Sequence, residues 1–426
     1  MPIRKRSMRA TPKLETKRPV DLVADYLSCL RKHTLESLIR KYGGAFLDAT
    51  PIDYILTVPA MWSDSAKSLT LQAAESAGFG SQSEIQLVSE PDAAAAWTLL
   101  REVQHHGLKL HDAFVVVDCG GGTVDLISYE IVELSPTFTV KECAVGTGKL
   151  CGSTFLNQAF EELVKLRLGE RYGLMKQVSR NKMLDQFEDT LKRDFMDTEA
   201  ESEFSCPAIL LVGGFGSSEY LFKRLKSELV RKRQGEDIKP LEILQPPNAW
   251  SAVARGAALG IHISSRRARR HYGTEFSEIF NPDKHPLKNL TYCPYGEGRL
   301  CDHCMEWYIT RGDQISEDDP ISVPFYHRVG LDDSMIFTHT LFECEGESPP
   351  KYGNQDDNPV KKLCSLVSDL SGMPKGSFIE RMGPHSIAYL EVHFQLVITR
   401  QSAMLVFHLE SCGERYDTVA VKYLHD

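Results

Sequence analysis

A run of three glycines between two aspartates constrains the fold of this chain more than any other feature. The segment Asp118 to Asp125 reads DCGGGTVD and joins a buried apolar run, 114–118, to a second strand-like run, 124–132. Two such runs that flank glycines predict a β-hairpin. Successive glycines let the backbone approach a polyphosphate and present several N–H donors, and Thr123 adds a hydroxyl. The pattern therefore indicates a phosphate-binding turn, with a hairpin that merely needs glycine as the alternative.

The chain around this hairpin alternates apolar runs with amphipathic stretches, which is typical of a layered α/β domain. Apolar positions at three- and four-residue steps predict a first helix from Val20 to Tyr42, ended by Gly43 and Gly44. Strands and helices are then predicted in turn at 54–58, 63–77, 85–88, 91–100, 138–142, 153–168, 208–212, 219–232, 241–244 and 248–261.

A second glycine loop, 213–218, lies between a predicted strand and a predicted helix. Open α/β sheets bind ligands at this kind of position. The loop is not a dinucleotide fingerprint, because no G-x-G-x-x-G opens a helix after the first strand with an acid about 20 residues further on. Dinucleotide chemistry is therefore disfavoured.

The composition changes after Ile261. A basic joint, SSRRARRHYG, is followed by Pro, Gly, Asp and short β-branched or aromatic runs, so residues from about 270 to 426 are expected to be mostly β. The arginines at 266, 267, 269 and 270 are interpreted as a solvated linker, in preference to an anion site.

Length and charge limit the functions that need consideration. A chain of 426 residues has room for about two to three folding units. Its net charge of −9 and the lack of a long basic stripe argue against a nucleic-acid partner. Eleven scattered cysteines indicate reduced thiols, and no apolar run approaches the ~18 residues that span a bilayer. We therefore expect a soluble, cytoplasmic protein without a membrane partner, and a basic, disordered tail over residues 1–19.

Six segments, taken together and in order, resemble the nucleotide-binding domain of DnaK-like heat-shock 70 kDa chaperones. They are LTVPAMWSDSAKSLTLQAAESAGF (56–79), LVSEPDAAAAW (87–97), VVVDCGGGTVDLISYE (115–130), the loop 146–154, LLVGGFGSSEYL (210–221) and NAWSAVARGAALGI (248–261). The likeness looks closest to the divergent subfamily twelve, common as fungal paralogues, within the actin-like ATPase superfamily. It covers residues 20–262, and the later segments CMEWYITRGD and YLEVHFQLVI look like that subfamily's C-terminal region.

The resemblance implies an α/β, two-lobed actin-like ATPase fold of the ribonuclease-H-like type, truncated, with a mostly β C-terminal region. Residues 20–112 would form an incomplete first lobe completed by a helix over 248–262, residues 113–247 a shortened second lobe with the phosphate and adenosine loops, and residues 263–426 the β-rich region. The family's first phosphate loop, of the D-x-G-T-T type, is not found before Val20, and only a short spacer separates a predicted helix at 181–195 from the strand at 208. We expect either a degenerate nucleotide binder or a truncated gene model.

The same resemblance implies a site for ATP or ADP with Mg²⁺. The second phosphate loop would be Gly120, Gly121, Gly122 and Thr123. Asp118 would be the magnesium-side carboxylate, with Asp125 nearby and Glu90 close to the metal and the attacking water. These three acids are the catalytic candidates, because carboxylates hold Mg²⁺ through water and orient an attacking water.

The remaining candidates would contact the nucleoside. Gly213, Gly214 and Ser217 would line the adenosine pocket, and Gly146 and Gly148 would lie near the sugar and phosphates. The segment FEDTLKRDF would contribute Glu188 or Asp189, with Lys192 and Arg193, to adenine and ribose contacts. A solvated charged helix face is the alternative for this segment.

The predicted function is a DnaK-like, chaperone-like ATP-binding protein with weak or absent hydrolysis, whose partners are nucleotide and a client or regulatory protein. A non-catalytic scaffold that keeps the fold is the alternative. A sugar or acetate kinase of the same superfamily is disfavoured by the VPAMWSDSAK and SEPDAAAA segments. Cys301 and Cys304 supply two zinc ligands at most, with Cys293 and His303 as conceivable additions, so ordinary thiols of the β region are preferred to zinc.

Overall fold

The computed structural model describes the chain in segments and divides it into two compact units. The described residues are 17–106, 109–135, 137–192, 208–232, 242–246, 248–293, 298–316, 318–355, 360–374, 378–383, 387–401, 403–416 and 419–423. One unit takes the described parts of Met1–Leu56 and Ala66–Leu87, and the other those of Thr57–Ser65 and Val88–Asp426.

The N-terminal elements follow the sequence prediction closely. Helix α1 (Pro19–Tyr42) begins with a proline in its first turn and ends at Gly43, whose φ of 85° stops the helix. Helix α2 (Gly44–Asp48), strand β1 (Ile55–Val58), helix α3 (Asp64–Ser76) and strand β2 (Gln86–Ser89) follow, and β1 pairs with β2. Most of the predicted tail, residues 1–16, lies outside the described residues.

The next part of the chain supplies most of an eight-stranded sheet and the helices around it. Its elements are α4 (Glu90–His106), β3 (Ala113–Cys119), β4 (Val124–Glu133), β5 (Thr139–Glu142), β6 (Thr147–Lys149), α5 (Ser153–Leu168), α6 (Glu170–Leu174), α7 (Gln177–Gln186), a π-helical turn (Phe187–Leu191), β7 (Ala208–Val212), α8 (Gly213–Gly216), α9 (Glu219–Lys232), β8 (Glu242–Leu244), a 3₁₀ turn (Ala249–Ser251), α10 (Ala252–Leu259) and β9 (His262–Arg267).

The remaining described elements are strands and one 3₁₀ turn (Leu287–Asn289). The strands are β10 (His271–Ile279), β11 (Leu290–Tyr292), β12 (Arg299–Ile309), β13 (Gln314–Ser316), β14 (Ile321–Gly330), β15 (Ile336–Cys344), β16 (Val360–Asp369), β17 (Phe378–Met382), β18 (Ala388–Gln401), β19 (Met404–Ser411), β20 (Glu414–Tyr416) and β21 (Val419–Tyr423). The protein is therefore a mixed α/β structure with several sheets.

The eight-stranded sheet brings the two glycine loops to the same edge. Its order is β13-β9-β5-β4-β3-β7-β8, with β6 paired to β4. The predicted hairpin is confirmed, because β3 and β4 are antiparallel with Asp118 opposite Asp125. Strand β7 is parallel to β3 with Val212 beside Asp118, so the loop that follows each strand leaves the sheet at neighbouring points.

Helices α4 and α10 pack against this sheet and against each other. Ala94, Ala95 and Trp97 of α4 share one buried core with Phe114 and Val116 of β3. The contact between the helices depends on a glycine. A Cβ built on Gly256 of α10 would overlap the carbonyl oxygen of Ala93 in α4, so no larger residue fits without separating the helices.

The strands after residue 320 belong to two further sheets that enclose a second core. One sheet has the order β11-β12-β10-β15-β16-β21, and the other β14-β18-β19-β20 with β17 paired to β18. Fully buried side chains from both sheets, such as Leu341, Leu366, Val392 and Ile398, meet in this core. The mostly β character expected from composition is observed in the described part of this region.

The interpretation of the arginine cluster as a solvated linker was wrong. Arg266 and Arg267 lie in β9, and the Arg266 side chain is only 8% exposed. Arg269 and Arg270 are also mostly buried, at 14% and 18%. Arg266, Arg269 and Arg270 are each paired with an acid, and Arg267 Nη1 donates to Gly312 O at 3.0 Å. These partners come from distant parts of the chain, which the local composition could not reveal.

Two local predictions also need correction. The helix predicted over 181–195 is instead α7, which ends at Gln186, followed by the π-helical turn. The loop predicted over 213–218 contains the short helix α8. In the described part of the chain, no helix has the length and apolar character needed to cross a membrane.

The Gly256 contact generates a stability prediction. We expect Gly256→Val to lower the free energy of unfolding by about 1–3 kcal/mol, because overpacking the contact with Ala93 adds strain of that size, which exceeds the few tenths of a kcal/mol that valine gains over glycine in helix propensity. Denaturant unfolding followed by far-UV circular dichroism measures the change. Ala254→Val on the exposed face of α10 is the matched control and should cost under about 1 kcal/mol. Equal losses in both variants would contradict the proposed tight contact.

Candidate functional site

The glycine loop after β3 is anchored from one side by the start of helix α5. The N–H groups of Gly152, Ser153 and Thr154 donate to the carbonyl oxygens of Gly122, Gly120 and Gly121 at 3.1, 3.1 and 2.9 Å. The Thr154 hydroxyl adds a second bond to Gly121 O at 2.7 Å. All three glycine carbonyls are therefore turned towards α5 and held there.

The amides of the same loop remain available. Gly120 N–H is used inside the hairpin, on Thr123 O at 2.9 Å. In the part of the chain that the structure describes, the amides of Gly121, Gly122 and Thr123 have no acceptor. Peptide carbonyl and amide groups point in opposite directions, so anchoring the carbonyls on α5 leaves these amides free for a ligand on the other side.

Gly152, which the sequence did not mark as a site residue, packs closely against this loop. A Cβ on Gly152 would overlap the backbone of Gly121 and would come within 2.7 Å of Gly122 C. Gly152 is therefore the residue that lets α5 approach the loop. The glycine lies inside the quoted segment 146–154, and its place directly before a predicted helix was the available signal.

Two of the predicted glycines lie against the carboxylates. A Cβ on Gly213, which has φ of 86°, would overlap Asp118 Oδ1 and lie 2.5 Å from Cys119 O. A Cβ on Gly148 would overlap Asp125 Oδ1. These glycines allow the strand end of β7 and strand β6 to close over Asp118 and Asp125. They bring the loops and the acids into one cluster.

Three acids of this cluster, two of them buried and Glu90 partly buried, have no ion-pair partner within 4 Å among the described residues. Asp118 and Asp125 are 5% and 1% exposed. Burial, then the charges of Asp118 and Asp125, raises the pKa of Glu90 to about 7. Burial and the charge of Asp125 raise the pKa of Asp118 to about 6. Burial also raises the pKa of Asp125, although the Thr123 hydroxyl and the charge of Arg269 oppose the rise.

The donor set fits a hydrated magnesium ion better than a direct protein cage. Asp125 Oδ1 is buried and accepts no hydrogen bond. Within the described ranges, no three His, Cys, Asp or Glu side chains converge closely enough to hold one metal ion. Mg²⁺ keeps several waters and takes one or two carboxylates plus phosphate oxygens, so Asp118 with Glu90 or Asp125 would suffice.

Of the two basic residues predicted to contact the nucleoside, Lys192 is described and Arg193 is not. Lys192 Nζ pairs with Glu188 Oε2 at 2.5 Å and reaches Asn157 Oδ1 at 3.0 Å. Lys192 is only 9% exposed, so the solvated-face alternative is wrong for this residue. Its ammonium is occupied by α5, and Phe187 stacks on Phe160 of the same helix at 4.0 Å between ring centroids. Arg193 lies outside the described residues.

Gly146, Gly214 and Ser217 differ in their surroundings. A Cβ on Gly146 would overlap Ile127 and lie 3.1 Å from Arg269 Nη2, so this glycine packs under the site. Gly214 in α8 and Ser217 directly after it are exposed, and among the described residues no atom lies within 4 Å of a Cβ on Gly214. The exposed face of α8 is therefore open to a ligand beside the first glycine loop.

The cysteine pair forms a separate buried contact. Cys301 and Cys304 are 0% and 1% exposed, and their sulfurs are 3.5 Å apart. His303 between them has φ of 60°, which turns both thiols to the same side of β12. The thiols pack with Phe280 and Tyr352 in a small apolar cluster.

Three known proteins with similar sequences are all named as heat shock 70 proteins. No protein-family profile matches the chain. The chain is 25% identical over 206 residues to heat shock 70 kDa protein 12B of Homo sapiens, covering 36% of this chain and 30% of the relative. Heat shock 70 kDa protein 12A of Homo sapiens is 25% identical over 207 residues, with 36% and 30% covered.

A third relative extends the match. A mitochondrial-type heat shock protein 70 of Encephalitozoon hellem is 27% identical over 260 residues, covering 58% of this chain and 41% of the relative. The chain thus spans between 30% and 41% of the length of these curated relatives. The protein is similar in sequence to heat shock 70 kDa proteins.

The raised pKa of Glu90 predicts how stability depends on pH without nucleotide. The folded state holds this proton with a pKa of about 7 against the ordinary 4.5, so ionisation costs folding stability as pH rises through that window. We expect Glu90→Gln to be more stable than wild type by roughly 1–3 kcal/mol at pH 8 and about equal at pH 4. Denaturant unfolding with a metal chelator present measures the difference. The exposed Glu162→Gln is the control, and parallel pH profiles for wild type and Glu90→Gln would show the prediction to be wrong.

Proposed function

We propose that this protein is a heat shock 70-like protein that binds ATP or ADP with Mg²⁺ in an actin-like ATPase fold. The observation that carries the proposal is the glycine loop, whose carbonyls are held by α5 while the amides of Gly121, Gly122 and Thr123 stay free. Such a row of amides suits phosphate oxygens, because several donors converge on one anion without any rearrangement. Similarity to proteins named heat shock 70 kDa proteins supports the nucleotide as the ligand.

The buried acids support magnesium as the accompanying ion. Three carboxylates with raised pKa values repel one another at neutral pH, and a divalent cation relieves that repulsion. In this proposal Asp118 holds the hydrated ion, and Glu90 and Asp125 accept hydrogen bonds from its waters. The ion supplies charge neutralisation for the phosphates when it is bound.

In this proposal, separate residues bind the phosphates, contact the nucleoside and accept a proton. The loop amides bind the phosphates, and two exposed residues, Gly214 in α8 and Ser217 directly after it, contact the nucleoside. Glu90, with a pKa of about 7, is able to accept a proton from an attacking water at neutral pH. The identified donors approach the phosphates from one side, whereas phosphoryl transfer needs charge stabilisation on both. We therefore propose weak or absent hydrolysis.

The proposed cellular role rests only on the sequence similarity to heat shock 70 kDa proteins. We propose a chaperone-like, cytoplasmic protein in which a client or regulatory protein is the second partner. A degenerate scaffold that keeps the fold without binding nucleotide is the competing function, and the same measurement separates the two.

Calorimetric titration with Mg-ADP and Mg-ATP tests the proposal. We expect binding by the wild type, and a stabilisation of about 2.7 kcal/mol when ligand is present at a hundred times its dissociation constant. Gly122→Val should abolish binding, because its side chain enters the space in front of the loop amides. Among the described residues the added Cβ meets nothing within 4 Å, so the substitution should leave the nucleotide-free protein folded.

Two variants complete the test. Asp118→Asn should weaken Mg-ADP binding about tenfold or more without destabilising the free protein, because a buried, repelled charge is removed. Gly372→Val is the matched control, since its Cβ also meets nothing within 4 Å in the part of the chain that the structure describes. A folded wild type that shows neither heat nor stabilisation at millimolar nucleotide would favour the scaffold.

A further inference from the structure

We infer that Asp92, Arg266 and Tyr129 are positioning residues that hold Glu90 in place for the magnesium-bound nucleotide. This inference rests on the proposed function, because it concerns how that site is built. The three side chains form one buried group, in which Asp92 lies in the helix that begins at Glu90 and Tyr129 lies in the strand that contains Asp125. As whole residues, Asp92, Arg266 and Tyr129 are 3%, 7% and 0% exposed, so the group is shielded from water.

The first turn of α4 shows that Asp92 is diverted from its ordinary local role. Ser89 caps the helix, and its hydroxyl accepts the Asp92 N–H at 3.4 Å. The S-x-x-D spacing of Ser89 and Asp92 is that of a capping box, in which the acid bonds back to the cap residue's N–H. The Asp92 carboxylate instead contacts Tyr129 and Arg266.

Each carboxylate oxygen of Asp92 contacts a residue from a strand, one through a hydrogen bond and the other through an ion pair. The Tyr129 hydroxyl of β4 donates to Asp92 Oδ1. Arg266 Nη1 of β9 is paired with Asp92 Oδ2 at 2.6 Å. The first turn of α4 is therefore attached at one side chain to two strands of the eight-stranded sheet.

Arg266 is itself fixed at its other side. Glu142 Oε1 of β5 lies 3.5 Å from Arg266 Nη1 and 3.2 Å from Arg269 Nη2. Glu142 Oε2 accepts the backbone N–H of Arg267 at 3.0 Å. The Arg266 guanidinium is held between two acids and has little freedom to move, so its position sets that of Asp92.

Fixing Asp92 also constrains Glu90, because the backbone between the two residues is short and stiff. Glu90 begins α4 two residues before Asp92, and Pro91 between them has a fixed φ. Tyr129 lies on the same face of β4 as Asp125, because residues 125, 127 and 129 alternate inward along the strand. The group thus sets the position of Glu90 relative to Asp125, and both acids face the proposed magnesium.

Stability alone does not account for this arrangement. Replacing a buried ion pair by apolar side chains is often neutral or stabilising, so the pair adds little to the free energy of folding. Outer partners of metal-site residues, in contrast, change metal affinity about 10–100-fold when they are removed. The geometry points to a role in orientation.

The test compares ADP affinity with magnesium and with a metal chelator, using the full chain. In Arg266→Met we expect affinity for Mg-ADP to fall about tenfold or more, while affinity for ADP without metal changes less than about twofold. A purely structural role would lower both affinities together. Arg266→Lys should restore part of the magnesium effect, because it returns the charge to Asp92.

Arg270→Met is the matched control. Arg270 follows on the same segment, is similarly buried and pairs with Glu343 and Glu345, each at 2.8 Å, and neither acid lies in α4. This variant should keep the wild-type ratio of the two affinities. An equal loss of the magnesium effect in both arginine variants would overturn the inference.

Tyr129→Phe tests the same inference if Arg266→Met fails to fold. It removes one donor to Asp92 and retains the buried ring, and it should also lower the magnesium effect selectively. A folded Tyr129→Phe or Arg266→Met with the wild-type ratio overturns the inference and leaves the proposed function intact. A folded wild type that binds ADP in neither condition overturns both.

Discussion

The structure of the site depends on the way helix α5 holds the glycine loop. Three backbone N–H groups at the start of α5 bind the three consecutive glycine carbonyls, and a threonine hydroxyl adds a fourth contact. Because these carbonyls are occupied, the loop has one orientation and its amides face away from the helix. The close approach requires Gly152, where any side chain would collide with the loop. The availability of the amides is thus a consequence of a helix packed behind them.

Electrostatics divides the region into two layers with opposite character. In the upper layer, Asp118 and Asp125 are buried and Glu90 is partly buried, and the removal of water raises the pKa of each. In the lower layer, Asp92 and Glu142 are matched by Arg266 and Arg269, and the charge of Arg266 keeps the pKa of Asp92 low although burial opposes it. The lower layer is complete within the chain. The upper layer is the one whose charge a bound cation would balance.

Sequence patterns predicted the elements of this region well. The glycine hairpin, the helix at 153–168 and the strand at 208–212 all have the predicted bounds within one residue. These elements were predictable because their signals are local: hydrophobic period, glycine stops and cap residues act within a few positions. Prediction failed where a partner from far along the chain decides the outcome. The arginines after Ser265 resemble a solvated linker by composition, yet Arg266 and Arg269 are mostly buried against acids that precede them by more than a hundred residues.

The amino-acid sequence by itself determined the order of helices and strands, the presence of a glycine turn between two aspartates, and the likeness to heat shock 70 kDa proteins. Only the tertiary structure decided that Gly213 and Gly148 press against those aspartates, that Gly152 admits α5, and that Tyr129 and Arg266 take the Asp92 carboxylate. The physical reason is that local backbone preferences are encoded in neighbouring residues. Burial, the pairing of charges and the raised pKa of Glu90 arise only when distant segments exclude water from the same place.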